Sequence, residues 1–252
     1  MENIKRVLSY VRRAIDDYNM IDDGDKIAVG VSAGKDSLTL LCAMADLKRF
    51  YPKSFELCAI TVDMGFDEAD FTPITKLCEE LGIEHHIVPT QISKVIFDVR
   101  KEKNPCSLCA KMRRGALYGY AKQIGFNKVA LGHHFDDVIE TFMLNLFYEG
   151  RLGCFQPVTY LSNTEITLIR PMIYMPEKDV RYFVSKTPLP IIKSPCPADG
   201  NTQRQEMKNL LASLERNNKG LRYRIFGAIQ RGEIDGFKEI GKMQGMKNYS
   251  WD

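Results

Sequence analysis

Two rhythms of apolar positions alternate along this chain. Residues 26–32, KIAVGVS, form a nearly continuous β-branched run, and apolar residues at helical spacing follow over 36–49. The succession returns in FELCAITVD (55–63), which precedes a helical stretch over 72–81 with Gly82 as its stop. IEHHIVP (83–89) predicts a third strand, and SLCAKMRRGALYGYAKQIG (107–125) predicts a helix ending at Gly125. KVALGH (128–133) is a fourth strand. The helix after it, DDVIETFMLNLFYEG (136–150), keeps Val138, Phe142 and Leu146 in register. EITLIRPM (165–172) is the fifth strand, and PEKDVRYFVSK (176–186) is a helix with proline in its first turn.

Strands and helices in this order build βαβ units. The predicted fold is therefore α/β, a Rossmann-like parallel sheet with helices on both faces, plus short helical extensions at both ends. Residues 1–24 read as an amphipathic helix with Ile4, Val7, Leu8, Val11 and Ile15 on one face. Residues 25–192 are the α/β domain. After Pro190 the alternation stops, and residues 193–252 hold a cysteine-bearing loop and two helices hinged near Lys219 and Gly220. Open parallel sheets bind ligands outside the carboxyl ends of their strands, so the chemistry is expected there.

Composition narrows the setting. The 252 residues contain no apolar stretch long enough to span a membrane, and acidic residues interrupt the N-terminal segment where a signal peptide would be continuous. A cytoplasmic protein with no membrane partner is the expectation. The net charge of +3 decides little, but its distribution is uneven. Lys101, Lys103, Lys111, Arg113 and Arg114 crowd around a cysteine pair, and Arg216, Lys219, Arg222, Arg224 and Arg231 form a second cluster. For any one of these residues a solvated helix face is the ordinary reading. Two clusters together point to RNA or DNA. Seven cysteines, an odd count, favour metal or redox chemistry over a disulfide framework.

Three stretches carry the candidate chemistry. SAGKDS (32–37) joins the first strand to a helix, where free backbone N–H groups and the helix dipole form an anion site. Gly34 allows close backbone approach, Ser32 and Ser37 add hydroxyls, and Lys35 adds charge. Neither the Walker A pattern nor the dinucleotide GxGxxG pattern is present. The second stretch places Cys106 and Cys109 in a CxxC at a helix start, with Cys196 in a proline-flanked loop as a third ligand. A redox pair or a zinc site has the same spacing. Cys42, Cys58 and Cys78 sit in apolar contexts and read as core. In the third, GHHFDD (132–137), two aspartates at a strand's carboxyl end suit Mg²⁺, or one of them caps the following helix.

SAGKDS resembles the PP-loop, SGGxDS, of the ATP pyrophosphatases, with Ala33 in place of the second glycine. If that position needs a positive φ, alanine is tolerated poorly there. SAGKDS, CSLCAKMRRG, ALGHHFDDVIET, LIRPM and NTQRQEMKNLL occur in the order seen in the tRNA 2-thiocytidine synthetase family, and the similarity runs over most of the chain. The resemblance implies an adenine nucleotide alpha hydrolase-like fold. It also implies cleavage of ATP between its α and β phosphates and a pyrimidine carbonyl activated as its adenylate.

The same resemblance assigns the residues. Cys106, Cys109 and Cys196 would hold a [4Fe-4S] cluster with one iron open for sulfur. Ser32, Ala33, Gly34, Lys35, Asp36 and Ser37 would cradle the phosphates. Val62 and Asp63 would border the nucleoside, while Gly132, His133 and Asp137 would face ATP. Asp36 or Asp137 would hold Mg²⁺. Arg113, one helical turn beyond Cys109, would stabilise charge on the adenylate, and Arg170 is a further phosphate candidate. Expected partners are tRNA, a sulfur donor such as a cysteine desulfurase or sulfide, and a second copy in a homodimer. Rival readings are a PP-loop enzyme for lysidine synthesis or small-molecule thiolation, and a non-enzymatic metal or redox protein that binds RNA.

Overall fold

The computed structural model describes residues 3–66, 69–100, 105–192, 196 and 203–239. The chain divides into two compact units. The first comprises Met1–His134 with Val158–Asp199, and the second Phe135–Pro157 with Gly200–Asp252.

The first unit is built on a six-stranded sheet. Its strands are β1 (Asp25–Gly30), β2 (Phe55–Asp63), β3 (Glu84–Pro89), β4 (Lys128–Ala130), β5 (Val158–Leu161) and β6 (Ile166–Ile169). The spatial order is β3-β2-β1-β4-β6-β5. Every neighbouring pair is parallel except β5 and β6, which form an antiparallel hairpin at the edge. In register, Ile27 stands beside Leu57 on one side and Lys128 on the other.

Alternation along β1 assigns its two faces. Ala28 joins Cys58, Ile60, Val129 and Leu168 in a cluster completed by Leu117, Tyr118 and Ala121 of α5 (Pro105–Gln123). Ile27 and Val29, also fully buried, point to the other face. On that side α2 (Lys35–Leu47), reached after α1 (Ile4–Asp17), packs on β1 and β2. Nearly every residue of α2 is buried, because α1 and α7 (Glu177–Lys186) cover its outer side. α1 buries Ile4, Val7, Val11, Ala14 and Ile15, while Leu8 lies at the margin. α3 (Thr72–Leu81) ends at Gly82 in the left-handed conformation and packs on β3. α4 (Ile92–Lys94) continues into a short π-helix, Val95–Val99.

At the amino ends of the strands a buried lysine ties the sheet together. Lys128 Nζ lies 2.7 Å from Asp25 Oδ2, and it donates to Asp22 Oδ2 and the Met20 carbonyl at 3.1 Å each. Asn127 donates to Asp25 Oδ1 and accepts the Lys26 amide, both at 2.8 Å.

The second unit holds α6 (Phe135–Tyr148), α8 (Gln203–Asn217) and α9 (Leu221–Arg231). Its core is aromatic: Phe135 stacks against Phe226 and Tyr223, and Phe237 meets Phe226 edge-on. Gly220 begins α9 with φ 81°, and the Glu215 carboxylate accepts the amides of Gly220 at 2.6 Å and Arg222 at 3.0 Å. Among the described residues no helix is long and apolar enough to cross a membrane.

Candidate active site

The loop after β1 closes on itself through its serines. Ser37 Oγ accepts the Ser32 amide at 3.1 Å, lies 3.2 Å from Ser32 Oγ, and donates to the Gly34 carbonyl at 3.0 Å. Gly34 is the N-cap of α2 and carries no side chain to cover the helix end. The first bond of α2 runs from the Leu38 amide to the Gly34 carbonyl. The amides of Lys35, Asp36 and Ser37 therefore stand ahead of the helical ladder, at the positive end of its dipole. Ala33 is buried with φ 62°, and its carbonyl accepts the Ile192 amide at 3.1 Å.

Charged side chains surround this loop in a chain. Lys35 Nζ donates to both Asp36 oxygens, at 3.0 and 2.8 Å, and lies 3.2 Å from Glu177 Oε1. His134 Nε2 is 3.7 Å from Asp36 Oδ1. Burial works against the charge on Lys35, but the carboxylates of Asp36 and Glu177 outweigh it and raise the ammonium's pKa. Lys35 is thus a permanent cation at the helix entrance.

The neighbouring strand ends shape the rest of the pocket mouth. A Cβ on Gly132 would stand 3.0 Å from the Asp36 carbonyl carbon and 3.1 Å from the Ser37 amide nitrogen. Any side chain there would press on the phosphate loop, because the loop after β4 touches its backbone. His133 is half-buried beside it. At the end of β2, Asp63 Oδ1 accepts the Gly65 amide at 2.8 Å, and the Asp63 carbonyl accepts Thr90 Oγ1 at 2.6 Å. Val62 is half-buried and packs against the cluster under α5. Arg170, directly after β6, is buried and donates to Thr159 Oγ1 on β5 at 3.1 Å.

The cysteines lie in the same unit. α5 begins at Pro105, which puts Cys106 and Cys109 in its first turns. Cys106 is exposed, while Cys109 and Cys196 are half-buried. Burial raises the Cys109 pKa, the Arg113 guanidinium opposes that by charge and by a hydrogen bond, and negative charge on Cys196 and Cys106 raises it further. All three thiols and Arg113 therefore share one electrostatic neighbourhood. No three Cys, His, Asp or Glu side chains among the described residues converge as donors to a single ion. A cluster does not need that convergence, because each cysteine holds a different iron.

Other sequence candidates have different surroundings. α6 starts at Phe135, so Asp136 and Asp137 lie inside its first turn rather than capping it. Asp137 is paired with Arg204 of α8 at 3.2 Å, and Asp136 with Arg222 of α9 at 2.7 Å, all within the second unit. Arg204 also reaches Glu140, which is buried, at 3.5 Å. Of the C-terminal basic residues, Arg216, Lys219 and Arg231 are exposed. Arg222 and Arg224 are half-buried, and Arg224 is hydrogen-bonded to Asn218. Lys101 and Lys103 lie outside the described residues. Glu177 is the site residue that the sequence did not mark. Its signal, an acidic residue just after PMIYMP at a helix start, is the ordinary signal of helix capping.

A PP-loop domain model matches residues 6–215. The chain is 39% identical over 228 residues to the tRNA-cytidine(32) 2-sulfurtransferase of Geobacter sulfurreducens, which covers 89% of each chain. It is 41% identical over 231 residues to the protein of the same name from Pseudomonas putida, covering 90% of this chain and 83% of that one. Among solved structures, the U34-tRNA thiolase NcsA from Methanococcus maripaludis with its [4Fe-4S] cluster is similar with a TM-score of 0.75. The two are 29% identical, over 91% of this chain and 78% of that chain.

Proposed function

The chain belongs to the PP-loop family of tRNA-cytidine 2-sulfurtransferases, and from that membership we propose that it replaces the 2-oxygen of a tRNA cytidine, at position 32, with sulfur. It is a tRNA thiolation enzyme that uses ATP. The observation that carries the residue-level reading is the shared neighbourhood of Cys109, Cys106, Cys196 and Arg113.

Oxide is a poor leaving group, so the carbonyl oxygen must first be activated. It attacks the α-phosphorus of ATP, its bond to phosphorus forms as the bond to pyrophosphate breaks, and the pyrimidine is left as an O-adenylate. Hydrosulfide then attacks the same carbon, AMP departs with the oxygen, and a proton is released. No electrons are gained or lost. The protein's contribution is positioning and charge placement.

The phosphate loop is built for the first step. The leading amides of α2, the Ser32 and Ser37 hydroxyls and the fixed Lys35 cation would receive the β and γ phosphates. Gly132 keeps the neighbouring loop in contact with that cradle, with His133 beside it. Val62 and Asp63, at the end of β2, would border the nucleoside. Asp36 would hold Mg²⁺, which neutralises phosphate charge when bound. Asp137 is tied to Arg204, so Asp36 is the preferred ligand.

Cys106, Cys109 and Cys196 fit an iron–sulfur cluster by donor type and by their common surroundings. When bound, the cluster supplies an iron without a protein ligand, to which an incoming sulfur can attach. Arg113 works against burial to favour the Cys109 thiolate, and it would give an adenylate phosphate a cationic partner. Sulfide is the simplest donor consistent with the electron balance. Arg216, Lys219 and Arg231 would meet the RNA backbone, and tRNA binding should weaken steeply with salt.

The test is mass spectrometry of tRNA nucleosides from cells with and without the gene, complemented by wild type or Cys196→Ser, with iron and sulfide analysis of anaerobically purified protein. The expected result is 2-thiocytidine that vanishes with the gene and is restored by wild type alone, together with loss of iron in the variant. Full activity and full iron content in Cys196→Ser would overturn the three-cysteine reading.

A further inference from the structure

We propose that Glu177 is a positioning residue for the phosphate loop: it holds the Lys35 ammonium in place while Asp36 exchanges that lysine for a divalent cation. The inference rests on the reading of SAGKDS as the ATP-phosphate site, and it adds a residue from another element to it.

Glu177 is buried, in the first turn of α7, with its Oε1 3.2 Å from Lys35 Nζ and 3.1 Å from Arg181 Nη2. Its helix is pinned from behind. Asp179, also buried, accepts Arg6 Nη2 and Tyr10 Oη of α1, both at 2.9 Å. The Glu177 carboxylate therefore has a fixed place beside the loop.

Lys35 already donates to both oxygens of Asp36, so a second, buried carboxylate is not needed merely to keep the lysine charged. It acquires a role when Mg²⁺ and ATP arrive. Asp36 is a hard oxygen donor that a magnesium ion would claim, and Lys35 would compete with that ion for the same carboxylate. With Glu177 present, Lys35 has a partner that does not leave, and Asp36 can be released at lower cost. An ammonium has three N–H donors. All three face carboxylate oxygens while Asp36 is paired; once Asp36 is released, Glu177 engages one, which leaves two directions for phosphate oxygens.

The sign of the effect separates this role from a passive one. A bystander anion near phosphates repels them, and neutralising it would tighten ATP binding. Neutralising a positioning anion loosens it. The experiment is calorimetric titration of anaerobically purified protein with α,β-methylene-ATP at several Mg²⁺ concentrations. Glu177→Gln is expected to weaken binding about tenfold, the scale of one lost charge-assisted hydrogen bond. It is also expected to raise the Mg²⁺ concentration needed for half-saturation. In a Lys35→Met background Glu177→Gln should change nothing further.

If Glu177→Gln does not fold, Glu177→Asp carries the test, because it keeps the charge but withdraws it by one methylene. Arg181→Gln, which leaves the Lys35 contact in place, should bind as wild type does. Unchanged or tighter binding in Glu177→Gln, or an equal loss with and without Lys35, would overturn the proposal. A wild-type protein that does not bind the analogue would overturn the phosphate-loop reading itself.

Discussion

Ala33 is held at φ 62° inside the phosphate loop, and replacing it by glycine gives a test in which the sign is decisive. An alanine in the left-handed region costs about 1–2 kcal/mol through the approach of its Cβ to the following carbonyl. Glycine removes that cost but adds freedom to the unfolded chain, which opposes the gain by about 0.4–1 kcal/mol. The difference predicts that Ala33→Gly stabilises the first unit by about 1 kcal/mol, or about 2–4 °C in melting temperature for a chain of this size. Ala33→Val should move the other way and by more. Its branched side chain resists this conformation and would have to fit where Ala33 is only 3% exposed. Urea denaturation followed by far-UV circular dichroism reads both. A glycine variant less stable than wild type by the usual cost of glycine would refute the left-handed assignment and the strain argument with it.

Gly132→Ala should weaken binding of α,β-methylene-ATP at least tenfold by pushing the loop after β4 off Asp36 and Ser37. Gly119→Ala, in α5 with nothing within 4 Å of the added Cβ, should leave binding unchanged and stabilise the fold by about 0.5–1 kcal/mol. The alkaline limb of stability should be steep. Burial pushes the thiols of Cys42 and Cys58 up to about 12 and that of Cys78 up to about 11. These groups stay neutral when folded and ionise once unfolded above about pH 8.5. Their contribution is therefore complete below that pH and is lost as pH climbs towards the folded values. Urea midpoints measured from pH 8 to 10 should fall, and replacing the three cysteines by alanine should flatten the slope.

Much of this architecture was legible because β-branched runs and helical spacing alternate without interruption. Helix ends at Gly82 and Gly125 were marked by the residue that tolerates a left-handed stop. β5 was missed for a physical reason. It is four residues long, lies at the sheet edge, and leaves Tyr160 exposed, so its pattern carries little burial signal. Its antiparallel pairing is set by the turn ending at Glu165, which has φ 52° without being a glycine.

In the site, the sequence supplied SAGKDS and the cysteines because their residue types are costly to place without cause. It could not supply Glu177. That contact joins residues 142 positions apart across two helices, and no local period encodes it. Nor could it foresee that Arg204 and Arg222 would take up the carboxylates of Asp137 and Asp136, because acidic residues in a first helical turn read equally well as dipole partners.

The buried lysine at the amino ends of the strands gives the first unit a division of labour. Lys128, with Asp22, Asp25 and the Met20 carbonyl, clamps the rim farthest along each strand from the phosphate loop. Loops on the opposite rim can lengthen, shorten or trade residues without loosening that clamp. A scaffold of this kind can drift from one substrate to another while its frame stays fixed, and directed evolution of new base specificity should leave these four residues untouched.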